Sequence, residues 1–270
     1  MPTIEENRRW WNERSDWSKK GEQWSLAWGG PEAQWYGTIF PRVHAFLPAG
    51  SILEIAPGYG RWTEMLKAHC DKLTIVDLAD SCIEGCKKRF LKDTHITYHV
   101  NDGKSLAMIP DASIDFVFSF DSLVHAEEDV IEIYLSQLAR KLTPNGVGFI
   151  HHSNIGVYVD PSTGELPEFL FNDHWRATTM TAQRFKDFCS AAGLRCIAQE
   201  LINWGTKVAL IDCFSVFTGR DSAWARPNRL LINKSFMDEA SYLRRVMLLY
   251  AGSSHVRIAR QERSTADADK

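Results

Sequence analysis

From residue 51 onward the sequence alternates short, β-branched apolar runs with stretches of helical character, and that rhythm restricts the fold more than any other feature. The runs "SILEIA", "KLTIVD", "ITYHV", "IDFVFSF" and "GVGFIHH" read as strands, with helices predicted near residues 61–70, 80–92 and 127–141 between them. Strands joined through helices of this length form βαβ units, and their sheet is parallel and covered on both faces. After the fifth strand the period is lost over residues 153–178. It returns in the helix "TAQRFKDFCSAAG", with Thr181 as N-cap and Gly193 as C-terminal stop. "LRCIAQELI" and "KVALIDCFSVFTG" follow, separated only by "NWGT". So short a link cannot hold a parallel crossover, so an antiparallel hairpin at the sheet edge is predicted. The expected fold class is α/β: a seven-stranded doubly wound sheet, mostly parallel with an antiparallel last strand.

Two additions flank this sheet. Residues 1–44 carry Trp10, Trp11, Trp17, Trp24, Trp28 and Trp35, and their spacing places several on one helical face until "GGP" at residues 29–31 ends any helix there. Packing of this extension onto the main domain is the first reading, because large aromatics are usually interior; a lid over the site is the second. Residues 45–219 form the main domain. Residues 220–270 hold a helix over "SFMDEASYLRRVMLLY", which docks on the domain or on a second copy in a homo-oligomer, and the tail "RQERSTADADK" reads as disordered.

Composition narrows the function classes. The 31 basic and 34 acidic residues give a formal net charge of −3, so no overall attraction to nucleic acid or anionic membrane is expected. No run approaches the ~18 apolar residues of a membrane span, and the charged N-terminus lacks a signal peptide's apolar segment. Six cysteines lie inside apolar or helical stretches, which fits reduced thiols and a cytoplasmic protein. Cys82 and Cys86 are one helical turn apart but lack the second pair of a zinc site, and no metal is expected.

The first strand ends in "EIAPGYG", a glycine-containing turn that opens a helix and brings backbone close to a ligand. A dinucleotide fingerprint needs a third small residue, and that position is Thr63. Acidic residues are the stronger signal. Glu54 lies in the first strand, Asp77 closes "LTIVD", and Asp102 follows the third strand in "HVNDG"; carboxyl ends of neighbouring strands face one crevice in a doubly wound sheet. A carboxylate after the second strand accepts hydrogen bonds from a ribose diol, and acids around the ligand suit a cation better than a pyrophosphate.

"LEIAPGYGRWT", the acid in "IVDLA", "NDGKSL", "FSFDSLVHA", "LTPNGVGFIHHSN" and "TAQRFKDFCSAAGL" together resemble the class I S-adenosylmethionine-dependent methyltransferases over roughly residues 45–218. The resemblance implies S-adenosyl-L-methionine as cofactor. It places Glu54, Ala56, Gly58 and Gly60 at the methionine and ribose, Asp77 and Leu78 at the ribose hydroxyls, Asp102 and Gly103 beside adenine, and Phe120 at the end of the fourth strand. Ala56 stands where the family often has Gly, a departure that needs only a negative φ there.

Methyl transfer is an in-line displacement, and a hydroxyl acceptor must lose a proton near the transition state. His125 is the expected general base, since the resemblance puts it where the fourth strand meets the transferred methyl; Asp121, four residues earlier, orients it or contacts the acceptor. Alternation along "FIHHSN" lets only one of His151 and His152 face a given side. His152 with Asn154 is the expected acceptor-binding pair. Tyr158, Glu165, His174, Trp175 and Arg176 form the expected acceptor wall, with Tyr36 from the extension. A divalent cation at Asp121, His125 or His152 lacks a second carboxylate at clear spacing. The expected activity is methyl transfer to a hydroxyl of a small molecule or saccharide, as in glycan biosynthesis. The alternatives are N-methylation of a small amine and a non-catalytic cofactor-binding partner protein. A nucleic-acid substrate is disfavoured by the charge balance and by the lack of an Asn/Asp-Pro-Pro-aromatic motif.

Overall fold

The computed structural model describes residues 3–173, 175–206 and 209–266, with side chains to residue 251. Eight strands form one sheet: β1 (Ala49–Ile55), β2 (Cys70–Asp77), β3 (Ile96–Val100), β4 (Ile114–Ser119), β5 (Leu142–Ser153), β6 (Leu194–Ile202), β7 (Asp212–Gly219) and β8 (Arg229–Asn233). Their order is β3-β2-β1-β4-β5-β7-β6-β8. The first five strands pair in parallel, and β7 lies antiparallel between β5 and β6.

Two expectations are corrected here. The sheet has eight strands instead of seven, because "RLLIN" adds β8 parallel to β6 and takes the edge from the hairpin. The hairpin link is also longer than "NWGT": β7 begins at Asp212, and Lys207 and Val208 of the expected strand lie outside the described residues.

The helices are α1 (Ile4–Arg9), α2 (Pro31–Gln34), α3 (Phe40–Val43), α4 (Thr63–Leu66), α5 (Asp80–Arg89), α6 (Glu128–Lys141), α7 (Ala182–Ala191) and α8 (Phe236–Ala266). Thr181 caps α7 by accepting the Arg184 N–H at 3.0 Å, and Gly193 follows at φ +79°. α8 takes in residues 260–266 of the tail expected to be disordered; 267–270 lie outside the described residues. No helix among the described residues is long and apolar enough to cross a membrane. All six cysteines are free thiols.

Each face of the sheet has its own apolar cluster. On one, Leu53, Ile55 and Val117 meet Ile131, Leu135 and Leu138 of α6 and Phe185 of α7. On the other, Phe116, Phe118, Phe149 and Phe214 meet Trp28, Trp35 and Ile39 of the N-terminal extension and Phe236 of α8. A buried tryptophan removes on the order of 150–250 Å² from water, so Trp28 and Trp35 fix the extension to the sheet. Arg42 adds a fork onto Glu200 of β6, at 2.7 Å for each of two bonds, and reaches Glu239 of α8. α8 docks through Leu243 and Met247, seated where Gly37 and Gly29 lack a side chain; Tyr242 and Tyr250 are exposed.

Gly60 explains its own residue type. Its φ is +79°, and a Cβ there would come within 2.4 Å of the buried Phe90 ring. Gly60→Ala is expected to cost about 2–3 kcal/mol, from left-handed strain plus overpacking, read by chemical denaturation.

Candidate active site

The reversal of strand order at β1 opens a crevice between the carboxyl ends of β1 and β4, where doubly wound sheets bind ligands. β1 leaves the sheet through Ala56, which sits at φ +58°, against the expected negative value. For an L-residue this conformation costs about 1–2 kcal/mol. It is held by two bonds: the Ala56 N–H donates to the Val76 carbonyl at 2.7 Å, and the Ala56 carbonyl accepts the Ser122 hydroxyl at 2.8 Å. The second ties the turn to the end of β4.

Asp77 is the acid that organises the crevice. Its Oδ2 accepts the Gly58 N–H at 3.1 Å and its Oδ1 accepts the Ala79 N–H at 2.9 Å, so one carboxylate fixes the turn after β1 and the start of α5. Burial pushes its pKa up to about 6 against the pull of those N–H donors. Ala56, Gly58, Leu78, Gly103 and Phe120 join Asp77 in lining this first cavity.

Three other expected contacts are absent from its wall. Glu54 is buried behind the turn, accepting the Thr63 hydroxyl at 2.5 Å, and burial pushes it up to about 8. Gly60 packs on Phe90. Asp102 faces solvent and caps the Lys104 and Ser105 N–H groups of its own turn at 2.9 and 2.6 Å. The neighbouring Asn101 holds Gly103 instead, accepting its N–H at 3.0 Å. An Asn–Asp–Gly turn presents two short polar side chains, and sequence alone does not say which turns inward.

The tryptophans divide between the two roles considered for them. Trp28 and Trp35 pack, whereas Trp17 stacks on Tyr59 at 4.6 Å and closes over the turn. A Cβ on Gly58 would meet the Trp17 ring at 2.8 Å, and one on Gly103 would meet Ile4 at 2.9 Å. Asn12 anchors this cover to α5 by accepting the Ser81 N–H and hydroxyl.

A second cavity adjoins the first, walled by Trp10, Arg14, Trp175, Arg176 and Trp204. Four residues belong to both walls: Trp11, Trp24, Asp121 and His125. His125 Nδ1 lies 2.9 Å from the Trp175 carbonyl, so that nitrogen carries the proton and Nε2 keeps its lone pair. Burial, and then the Arg176 charge, lower its pKa to about 4, so the imidazole is neutral at physiological pH. Asp121, at φ +61°, is paired with Arg61 at 2.8 Å.

Sequence reasoning missed Arg61, although a cation directly after a turn with no phosphate to bind was a visible signal. Arg61 is buried and lies over the Trp62 ring at 4.6 Å.

The end of β5 also departs from expectation. His151 faces the site side, and its Nδ1 accepts the Asp121 N–H at 3.1 Å. His152 points to the opposite face, stacked on Phe185 at 4.4 Å with Nε2 at 2.8 Å from the Ser215 hydroxyl. Strand alternation allows one inward histidine, and the choice falls on the other one. Asn154 is structural, accepting the Ala182 N–H ahead of α7 and donating to the Leu210 carbonyl. The Tyr158 hydroxyl accepts the Leu210 N–H, and Tyr36 is 63% exposed; neither lines a cavity. Trp175 and Arg176 do line the second cavity, and His174 lies outside the described residues. Among the described residues no group of three or more His, Cys, Asp or Glu side chains is placed to hold a metal ion.

Residues 52–146 match the family model described as a methyltransferase domain. That match covers about a third of the chain. Its fold is the class I, Rossmann-like type found in S-adenosylmethionine-dependent methyltransferases of solved structure. The fold is shared with a methyltransferase from Leishmania major (12% identity, TM-score 0.57, 80% of this chain and 82% of that one). It is also shared with DhpI in complex with SAH (16% identity, TM-score 0.55, 81% and 97%). Nodulation protein S of Rhizobium tropici is 28% identical over 101 residues, which are 37% of this chain and 41% of that protein. The chain thus spans less than half the length of the curated relative it matches.

The residues present fit S-adenosyl-L-methionine: Asp77 is a buried acceptor at the end of β2, and the wall of the first cavity is largely apolar.

Proposed function

We propose that the chain is an S-adenosylmethionine-dependent methyltransferase acting on a hydroxyl of a small molecule or saccharide. The observation that carries this reading is the meeting of two cavities at His125 and Asp121. When bound, S-adenosylmethionine supplies an electrophilic methyl group. Asp77 holds the ribose, and Leu78 and Phe120 flank the nucleoside. The second cavity holds the acceptor between indole rings, which suit the apolar faces of a sugar. His125 Nε2 accepts the acceptor's hydroxyl hydrogen and takes the proton as the bond to carbon forms. Asp121 orients the acceptor at the junction, and Arg61 holds Asp121. In this reading residues 1–44 are both packing and cover, 45–219 carry the chemistry, and 220–270 brace the extension.

The low basicity of His125 supports a second reading, transfer to an amine nitrogen, because a neutral amine attacks without first losing a proton. The pH dependence separates the two. With a hydroxyl acceptor and saturating cofactor the rate stays level from about pH 5 to 8, whereas with an amine it rises until the amine's own pKa.

Asp77 adds a prediction about binding. Its ionised form is the acceptor for the ribose, and its pKa lies at about 6. Cofactor affinity is therefore expected to hold above pH 7 and to weaken about ten-fold per unit below pH 6, as titration calorimetry at pH 5, 6 and 8 would show.

A further inference from the structure

Asp212, at the start of β7, is a fully buried acid that neither cavity wall includes. It is held between two partners. Arg176 forks onto it, Nε to Oδ1 at 3.0 Å and a terminal nitrogen to Oδ2 at 2.8 Å; His151 Nε2 lies 3.1 Å from the same Oδ2. Each partner leads to one of the two non-glycine residues in left-handed backbone that line the second cavity.

Arg176 follows Trp175, which sits at φ +53° and offers its carbonyl to His125 Nδ1. The Arg176 backbone is itself clamped by Asn172, which accepts its N–H at 2.6 Å and donates to its carbonyl at 2.8 Å. His151 leads to Asp121. Its Nδ1 accepts the Asp121 N–H only in the tautomer whose proton sits on Nε2, and that nitrogen lies 3.1 Å from the Asp212 carboxylate. Strained backbone of this kind persists only where its surroundings over-determine it.

We infer that Asp212 is a positioning residue: through Arg176 and His151 it fixes the Trp175 carbonyl that sets the His125 tautomer and the Asp121 backbone that aims its carboxylate at the junction. This rests on the proposed methyl transfer for its catalytic consequence, though not for its effect on the His125 ring. Asp212 touches neither ligand. It acts by holding two groups that do.

Three variants test it: Asp212→Asn; the neutral pair Arg176→Gln with Asp212→Asn, which leaves no buried charge alone; and Arg176→Lys, which keeps the charge and loses the fork. The readouts are nitrogen NMR of the His125 ring, assigned by its loss in His125→Gln, together with turnover and S-adenosylhomocysteine affinity. Wild type is expected to show a single tautomer protonated on Nδ1. The variants are expected to show mixed tautomers and at least ten-fold slower turnover, with cofactor affinity within about three-fold of wild type. If Asp212→Asn fails to fold, the neutral pair and Arg176→Lys give the same readouts. Variants that keep the single tautomer and turn over within two-fold of wild type would overturn the inference. A wild type that transfers no methyl group, yet whose His125 tautomer is lost in the variants, would refute the proposed function and leave the positioning role standing.

Discussion

Replacing His125 by Ala is expected to lower methyl transfer by about 10²–10³-fold, the usual contribution of a positioned proton acceptor. S-adenosylhomocysteine affinity should stay within about three-fold of wild type, because the proposed partner of the cofactor is Asp77, on another strand. The environment of His125 sets the expected pH profile as well. In the proposed mechanism its neutral form is the active one, and burial beside Arg176 lowers its pKa to about 4. Turnover at saturating cofactor should therefore show no inflection near 6.5, where an exposed histidine titrates, and should be lost only as the pH falls towards 4. The Nδ1 bond to Trp175 leaves Nε2 as the sole free lone pair, so His125→Gln, which has a donor and an acceptor but no basic nitrogen, separates orientation from proton removal. Recovery of most activity in His125→Gln would assign the ring an orienting role and favour the amine acceptor.

The second large effect is expected on binding. Asp77→Ala removes the acceptor proposed for the ribose hydroxyls, and hydrogen bonds to a charged group contribute about 1.5–3 kcal/mol, or roughly 10–100-fold in cofactor Kd. The same change leaves the Gly58 and Ala79 N–H groups without their acceptor, so the turn after β1 also loosens. Turnover at saturating cofactor should recover much of the loss, whereas in His125→Ala no amount of cofactor should help. A Kd for Asp77→Ala equal to wild type would remove Asp77 from the cofactor site.

Much of this fold was legible because each strand–helix unit carries its own local pattern. Alternating apolar runs, the cap at Thr181 and the stop at Gly193 need no distant partner to be read. β8 escaped because its side chains are exposed or half-buried at a sheet edge, so no periodicity marks it. Asp77 and Gly58 were legible through their places at a strand end and a turn. Asp102 and His152 were misplaced because their orientation depends on which of two adjacent polar residues turns inward, a choice made by tertiary packing. Arg61 and Asp212 went unseen for a related reason. Each is a charge whose partner lies far along the chain, Asp121 for one and Arg176 for the other. For Asp212 the visible hint was an acid within the apolar run "LIDCFSVF", since an acid is almost never fully buried without a partner.

The most direct measurement is transfer of a labelled methyl group. The purified protein is incubated with methyl-labelled S-adenosylmethionine and fractionated acceptors, saccharides and small amines in separate pools, and the label is followed out of the cofactor. Label entering an acceptor pool, reduced in His125→Ala and restored by excess cofactor only in Asp77→Ala, is the predicted result. A protein that binds S-adenosylmethionine yet leaves every pool unlabelled would contradict the catalytic reading and favour a cofactor-binding partner protein.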